Sequence, residues 1–339
     1  MEKYRVGIVG ATGMVGQRFI SLLKDHPWFE VNCVAASARS AGKTYREAVG
    51  ERWAFSWEIP EKVAGMTVVD AADIDEVSKH VDFVFCAVDM KKDEIRALEE
   101  AYAKHEIPVV SNNSACRGIE DVPMVVPEIN ADHLAVIEAQ KKRLGTKSGF
   151  IAVKPNCSIQ SYVPALTPLL DFEPEKVSVC TYQAISGAGK TFKTWPEMVD
   201  NVIPYIGGED EKSENEPLKL WGHVEDGKIV NATLPVISAQ CLRVACSDGH
   251  MAAVSVSFKK KPTIEQIKER WANYETEAQR LELPSAPKPF LQYFEDPSRP
   301  QTRLDRDFQN GFGVSIGRLR EDKLFDYRFV CLSHNTVRG

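Results

Sequence analysis

The sequence has no apolar run approaching the roughly 20 residues that span a bilayer as a helix, so no membrane partner is expected. It also lacks an excess of positive charge. The 42 Lys and Arg are outnumbered by 48 Asp and Glu, giving a net charge of -6, and the cations are spread along the chain; the footprint of a nucleic-acid binder is missing. The eight cysteines, at 33, 86, 116, 157, 180, 241, 246 and 331, form no CxxC pair and have no histidines at zinc-like spacing, so neither a disulfide framework nor a metal site is expected. Repeats and low-complexity tracts are absent. The opening MEKYRVGIVG runs directly into a strand pattern without the basic and apolar regions of a presequence, which leads us to expect a cytoplasmic protein.

What is present is a soluble globular composition, 43% hydrophobic and 27% charged, over 339 residues, a length that calls for two domains. The stretch YRVGIVGATGMVGQRFISLLKDHP reads as strand, glycine turn and helix, with Phe19, Ile20, Leu22 and Leu23 apolar and Pro27 as the stop. Gly10, Gly13 and Gly16 would let a pyrophosphate approach the free N–H groups at a helix start, although glycines also end strands for structural reasons alone. An NAD-binding domain should place Asp or Glu at the end of the next strand, EVNCVAAS. Here SARSAGK follows instead. Ser37, Arg39, Ser40 and Lys43 would suit a 2'-phosphate, which favours NADP; a solvated basic loop is the plainer alternative. Strand patterns at 81–88 and 107–111, separated by the helical KKDEIRALEEAYAKHE, predict a doubly wound parallel sheet of Rossmann type over residues 1–150. The loop SNNSACR comes next, where Asn113 and Arg117 would suit an anion.

After residue 150 the pattern changes to longer alternating strands, KVSVCTYQAIS, NATLPVISAQCLRVAC, HMAAVSVSF, GFGVSIGRLR and LFDYRFVCLSHN, which predict an α+β domain with a mixed, largely antiparallel sheet. One helix is expected over residues 263–281, opened by a Thr263–Gln266 capping box. The segment SGAGKT mimics the end of a P-loop, but Ala184 stands where that motif needs its first glycine. A cofactor contact at Ser186 and Gly187 remains open. In KPNCSIQS, Cys157 would precede a helix starting near Ser158, whose dipole and free N–H groups would favour a thiolate and stabilise an oxyanion; a buried inert thiol is the alternative. His250, after Gly249 in RVACSDGH, is a candidate base or a satisfied core histidine. Trp195, Trp221 and Trp271 read as packing residues.

Taken in order, GATGMVG, SNNSACR, KPNCS, YQAISGAG, GGEDEK, RVACSDGH and LSHNTVRG resemble the aspartate-semialdehyde dehydrogenases, in wording closest to the archaeal and fungal branch. The resemblance implies reversible NADPH-dependent reductive dephosphorylation of β-aspartyl phosphate to aspartate β-semialdehyde, on the route to lysine, threonine, methionine and isoleucine. It makes Cys157 the nucleophile, His250 the acid/base and Gln183 a group that positions the substrate or its thioester. Arg243 would take the substrate carboxylate, Glu209 its ammonium, and Lys212 and Arg117 its phosphate, with Asn113 beside them. Cofactor contacts would fall on Gly10, Thr12, Gly13, Met14, Val15, Ser37, Arg39, Ser40, Ser186, Gly187 and Asn335. The resemblance also implies a catalytic and dimerisation domain over 151–333, a return of residues 334–339 to the nucleotide domain, and a homodimer or homotetramer. Rival readings are malonyl-CoA reductase or N-acetyl-glutamyl-phosphate reductase, against which Glu209 argues because their substrates offer no ammonium, and a non-catalytic NADP-binding sensor.

Overall fold

In the computed structural model of the chain, which describes residues 2–339, strand β1 (Tyr4–Val9) buries its last four residues in succession rather than alternately. That is the signature of a strand covered on both faces. The glycine turn leads into helix α1 (Met14–Leu23), and strands β2 (Phe29–Ala36), β3 (Val69–Asp70), β4 (Phe83–Cys86), β5 (Val109–Ser111) and β6 (Ile151–Val153) follow. Every pairing is parallel, in the order β3-β2-β1-β4-β5-β6, so the sheet grows outward in both directions from β1 and β4. Their carboxyl ends flank the point where the strand order reverses, the place where such sheets bind ligands. Ile8, Ile20, Val34 and Tyr45 are fully buried in the core between sheet and α1. Helix α2 (Lys92–Lys104) lays Ile95, Glu99, Tyr102 and Ala103 inward, the spacing of one helical face.

A second compact unit is built on a seven-stranded sheet. It contains β7 (Pro174–Gln183) and β8 (Val202–Ile203), then, beyond the short ribbon of β9 (His223–Glu225) and β10 (Lys228–Val230), β11 (Val236–Val244) and β12 (His250–Phe258). Strands β13 (Leu291–Phe294), β14 (Val314–Glu321) and β15 (Tyr327–Ser333) complete it in the order β13-β14-β15-β12-β7-β11-β8. The sheet is mixed, as its alternating sequence predicts: β7 runs parallel to β11 and antiparallel to β12, and β12 is antiparallel to β15. One face is covered by helices, with Trp271 buried and its indole N–H donating to the Ala165 carbonyl at 2.7 Å. The expected long helix is two helices. Between α3 (Glu209–Leu220), described below, and the C-terminus lies α4 (Ile264–Ala272), which carries the Thr263–Gln266 capping box; a second box, Thr276 with Gln279, starts a new turn at Glu277. The second cap competes with continuation of the first helix, and it prevails.

The division between the units is more interleaved than a break at residue 150. The first comprises residues up to Val125, 132–154 and 224–229, and the second holds the remainder, including 126–131. The segment at 224–229 is tied to the first unit where the Ile229 N–H donates to the Glu120 carbonyl at 2.9 Å. Residues 334–339, expected with the nucleotide domain, belong to the second unit. Arg338 anchors them there, its guanidinium gripping both carboxylate oxygens of Glu128 at 3.0 and 3.1 Å. No helix among the described residues is long and apolar enough to cross a membrane.

Candidate active site

In the first unit a cavity of about 560 Å³ opens at the switch point. Gly10, Thr12 and Gly13 line one side, and Ser37, Arg39, Ser40 and Lys43 line another, so most of the predicted cofactor residues surround one space. Met14 and Val15 form the first turn of α1 and are not among the lining residues. Gly10 has φ of +90°, and a Cβ there would lie 2.4 Å from the Ala87 carbonyl oxygen, so the turn excludes side chains for two independent reasons. Arg52, which sequence reasoning missed, lines the same cavity. Its carbonyl and that of Thr12 both accept from the Gln17 side-chain amide, at 3.1 and 3.0 Å, which fixes two walls to α1. At the end of β5, Arg117 is almost fully buried and donates from Nη2 to the Asn112 carbonyl at 3.1 Å. Asn113 donates its side-chain amide inward, to Glu99 Oε1 at 3.2 Å and Cys86 Sγ at 3.5 Å, so that donor is not presented to an anion.

The second unit gathers the remaining predicted residues. Cys157 Sγ lies 3.4 Å from His250 Nε2, although 93 residues separate them. His250 begins β12, is fully buried, and accepts the Ala184 amide N–H on Nδ1 at 3.0 Å. That bond places the proton of the neutral ring on Nε2, facing sulfur. Cys157 does not open the regular helix expected of it. It is followed by a single 3-10 turn, Ile159–Ser161, and a separate turn at Val163–Leu166, because Pro164 has no N–H with which to continue the first. Asn156 Oδ1 accepts both the N–H and the hydroxyl of Ser158, at 2.8 and 2.6 Å, so the first amide after Cys157 is already engaged and no extended helix dipole points at the sulfur.

Parallel pairing of β7 with β11 sets Gln183 directly beside Arg243. Arg243 is 6% exposed and donates to the Ala184 carbonyl at 2.7 Å, while burial lowers its affinity for protons and the nearby Cys157 and Glu209 raise it. Glu209, the first residue of α3, receives Asn156 Nδ2 at 3.0 Å on each oxygen, Gln183 Nε2 at 3.2 Å and Lys212 Nζ at 2.8 Å. Burial pushes this carboxyl up, but Lys212, Gln183 and Asn156 together hold it below the usual carboxylate range. Gly187 packs on His250 and Arg243: a Cβ there would lie 2.9 Å from both His250 Nε2 and Arg243 Nη1. Asn335 is buried, with its Oδ1 accepting the Gly249 N–H at 2.8 Å and its Nδ2 donating to Ser186 Oγ at 2.9 Å. Both of its polar groups therefore serve the turns that carry Ser186 and His250.

The chain as a whole is matched by comparison with known proteins. The semialdehyde dehydrogenase NAD-binding domain family matches residues 5–137, and the semialdehyde dehydrogenase dimerisation domain family matches residues 166–338. The aspartate-semialdehyde dehydrogenase of Archaeoglobus fulgidus is 43% identical over 99% of this chain and 94% of its own. That of Schizosaccharomyces pombe is 44% identical over the same shares. The chain belongs to the aspartate-semialdehyde dehydrogenase family. A crystal structure of the Candida albicans aspartate-semialdehyde dehydrogenase with NADP superposes with a TM-score of 0.89 at 37% identity, covering 100% of this chain and 95% of the other. As a member of the aspartate-semialdehyde dehydrogenases the protein is an oxidoreductase of amino-acid biosynthesis, and its fold is that of the family. Sequence reading passed over Asn156, although it sits inside the PNCS motif; adjacency to Cys157 was the available signal. Glu99 gave a different one, a carboxylate on the apolar face of α2.

Proposed function

We propose that the protein catalyses the NADPH-dependent reductive dephosphorylation of β-aspartyl phosphate to aspartate β-semialdehyde, and the reverse, through a thioester on Cys157. The observation that carries this reading is the 3.4 Å approach of Cys157 Sγ to His250 Nε2, beside the buried cation of Arg243. A cation and an N–H donor next to sulfur favour the anionic nucleophile. The thiolate attacks the acyl carbon, the C–O bond to phosphate breaks, and phosphate leaves toward Lys212. Arg117, in the first unit, is read as a phosphate ligand. Bound NADPH supplies the hydride. The resulting tetrahedral oxyanion takes a hydrogen bond from His250 Nε2, and it collapses to the aldehyde as the C–S bond breaks and the thiolate is restored. Full protonation of the ring would cost the Ala184 contact on Nδ1, so His250 acts at Nε2, as donor to sulfur and then to oxygen.

Arg243 grips the substrate carboxylate with parallel hydrogen bonds, and Gln183 beside it orients the acyl group. Glu209 receives the substrate ammonium; its lone pairs are already occupied, so ammonium displaces Lys212, which is then released toward phosphate. The residues around the first-unit cavity fit NADP: a side-chain-free turn at Gly10, no carboxylate at the end of β2, and Arg39, Lys43 and Arg52 at the rim. A homodimer or homotetramer built on the second unit, working in the cytoplasm, completes the reading; Val199, Tyr205 and Val236 are 62%, 71% and 63% exposed in the single chain and would be covered on association. The test is phosphate-dependent NADP reduction with aspartate semialdehyde, together with iodoacetamide labelling. One fast-reacting, substrate-protected sulfur should map to Cys157, and Cys157→Ser should lose at least about 10³-fold in turnover while still binding NADP. Retained turnover in Cys157→Ser, or activity with malonyl-CoA alone, rejects the proposal.

A further inference from the structure

Glu99 occupies a position that α2 would ordinarily give to Leu. Ile95, Tyr102 and Ala103 share its buried stripe, and Glu99 is itself 0% exposed. A buried carboxylate is costly unless its oxygens are hydrogen-bonded. Here Oε1 accepts from Ser111 Oγ and from Asn113 Nδ2, the latter at 3.2 Å, whereas Oε2 has no hydrogen-bond partner. The thiols of Cys86 and Cys116 lie alongside, each pushed up first by burial and then by the Glu99 charge, so they stay protonated beside it. An apolar residue would fill this place at lower cost, so packing alone does not account for the carboxylate.

What Glu99 holds is a bracket. Ser111 and Asn113 flank Asn112, and Ser111 Oγ also accepts the Asn113 N–H at 3.0 Å. Between them, the Asn112 N–H donates to the Cys86 carbonyl at 2.8 Å, and the Asn112 carbonyl accepts from Arg117 Nη2 at 3.1 Å. The carboxylate thus fixes both neighbours of the peptide whose carbonyl orients the guanidinium. It also settles the polarity of Asn113. Facing an acceptor, the amide turns its nitrogen inward and leaves only its carbonyl oxygen for the outside.

We propose that Glu99 is a positioning residue for phosphate: by bracketing Asn112 it aims Arg117, and by accepting from the Asn113 side-chain amide it leaves Arg117 as the anion donor of this loop. The inference rests on the reading of Arg117 as a phosphate ligand. The test is steady-state kinetics of aldehyde oxidation by the full chain, with KM measured separately for phosphate, aspartate semialdehyde and NADP in Glu99→Gln, Glu99→Met and Arg117→Met. Glutamine keeps an acceptor for Ser111 and Asn113, so its phosphate KM should stay within about threefold of the parent, whereas Met should raise it about tenfold with the other two KM values nearly unchanged. If Glu99→Met does not fold, Ser111→Ala removes one arm of the bracket and should raise phosphate KM about threefold. An unchanged phosphate KM in the Glu99 and Ser111 variants, with a raised one in Arg117→Met, overturns the inference. So does a uniform loss across all three substrates that glutamine fails to rescue. An unchanged phosphate KM in Arg117→Met refutes the underlying reading of Arg117, and the positioning role with it.

Discussion

Replacing Gly187 by Ala puts one methyl group where the site has no room for it. The added Cβ would stand 2.9 Å from His250 Nε2 and from Arg243 Nη1, and 3.0 Å from His250 Cε1, against an ordinary contact of 3.4 Å or more, so these groups must yield by about 0.5 Å. Gly187 is not among the positive-φ residues, so its backbone accepts Ala without strain, and the contacts are with the far ends of side chains. Stability should therefore fall by about 1–3 kcal/mol, the range for one methyl too many in a packed site. Function should not escape. His250 is fully buried and tied at Nδ1, so the ring cannot retreat without lengthening its 3.4 Å approach to Cys157 beyond a useful hydrogen bond. A misplacement of about 1 Å in a reacting pair costs on the order of 10²-fold, so one of about 0.5 Å should cost about 10-fold, or about 1.4 kcal/mol of transition-state stabilisation. We expect kcat/KM for aldehyde oxidation to fall about 10-fold, the Cys157 alkylation rate to fall with it, the melting temperature to drop by only a few degrees and NADP affinity to hold. Gly187→Ala with more than about a third of parental activity would refute the steric argument. Lost NADP affinity with normal alkylation would assign Gly187 to the cofactor instead.

Two further outcomes follow from burial and charge. Glu209 is held below the usual carboxylate range, so the stability it contributes is fully present above the unfolded carboxylate pKa of about 4.3 and is lost as pH falls through its lower folded value. Glu209→Gln should accordingly be less stable than the parent at pH 7 with the gap narrowing in acid; urea titrations showing a gap independent of pH would contradict this. Ile8→Ala removes a fully buried side chain from the central strand of the first sheet and should cost about 2–5 kcal/mol in urea unfolding, and a loss below about 1 kcal/mol would mean that the core there collapses around the gap.

Local chemistry made much of this protein legible without coordinates. The glycine turn before α1, the missing acid after β2, the cysteine of PNCS and the period-two strands of the second half each concern residues close in sequence, where backbone geometry and side-chain alternation act directly. Breaks in that legibility also have local causes. The helix expected over 263–281 divides because a second capping box competes with the first, and the helix expected at Ser158 stops after one turn because Pro164 has no N–H with which to continue it. Tertiary structure alone decided the rest. It brought Cys157 to His250, set Gln183 beside Arg243 by pairing two strands in parallel, closed Asn156 and Gln183 around Glu209, and ran Glu99 to Ser111 and Asn113. No pattern in the chain encodes such pairs. Their partners lie from 12 to 93 residues away, and their distances follow only from the register and packing of whole sheets and helices, which no single stretch contains.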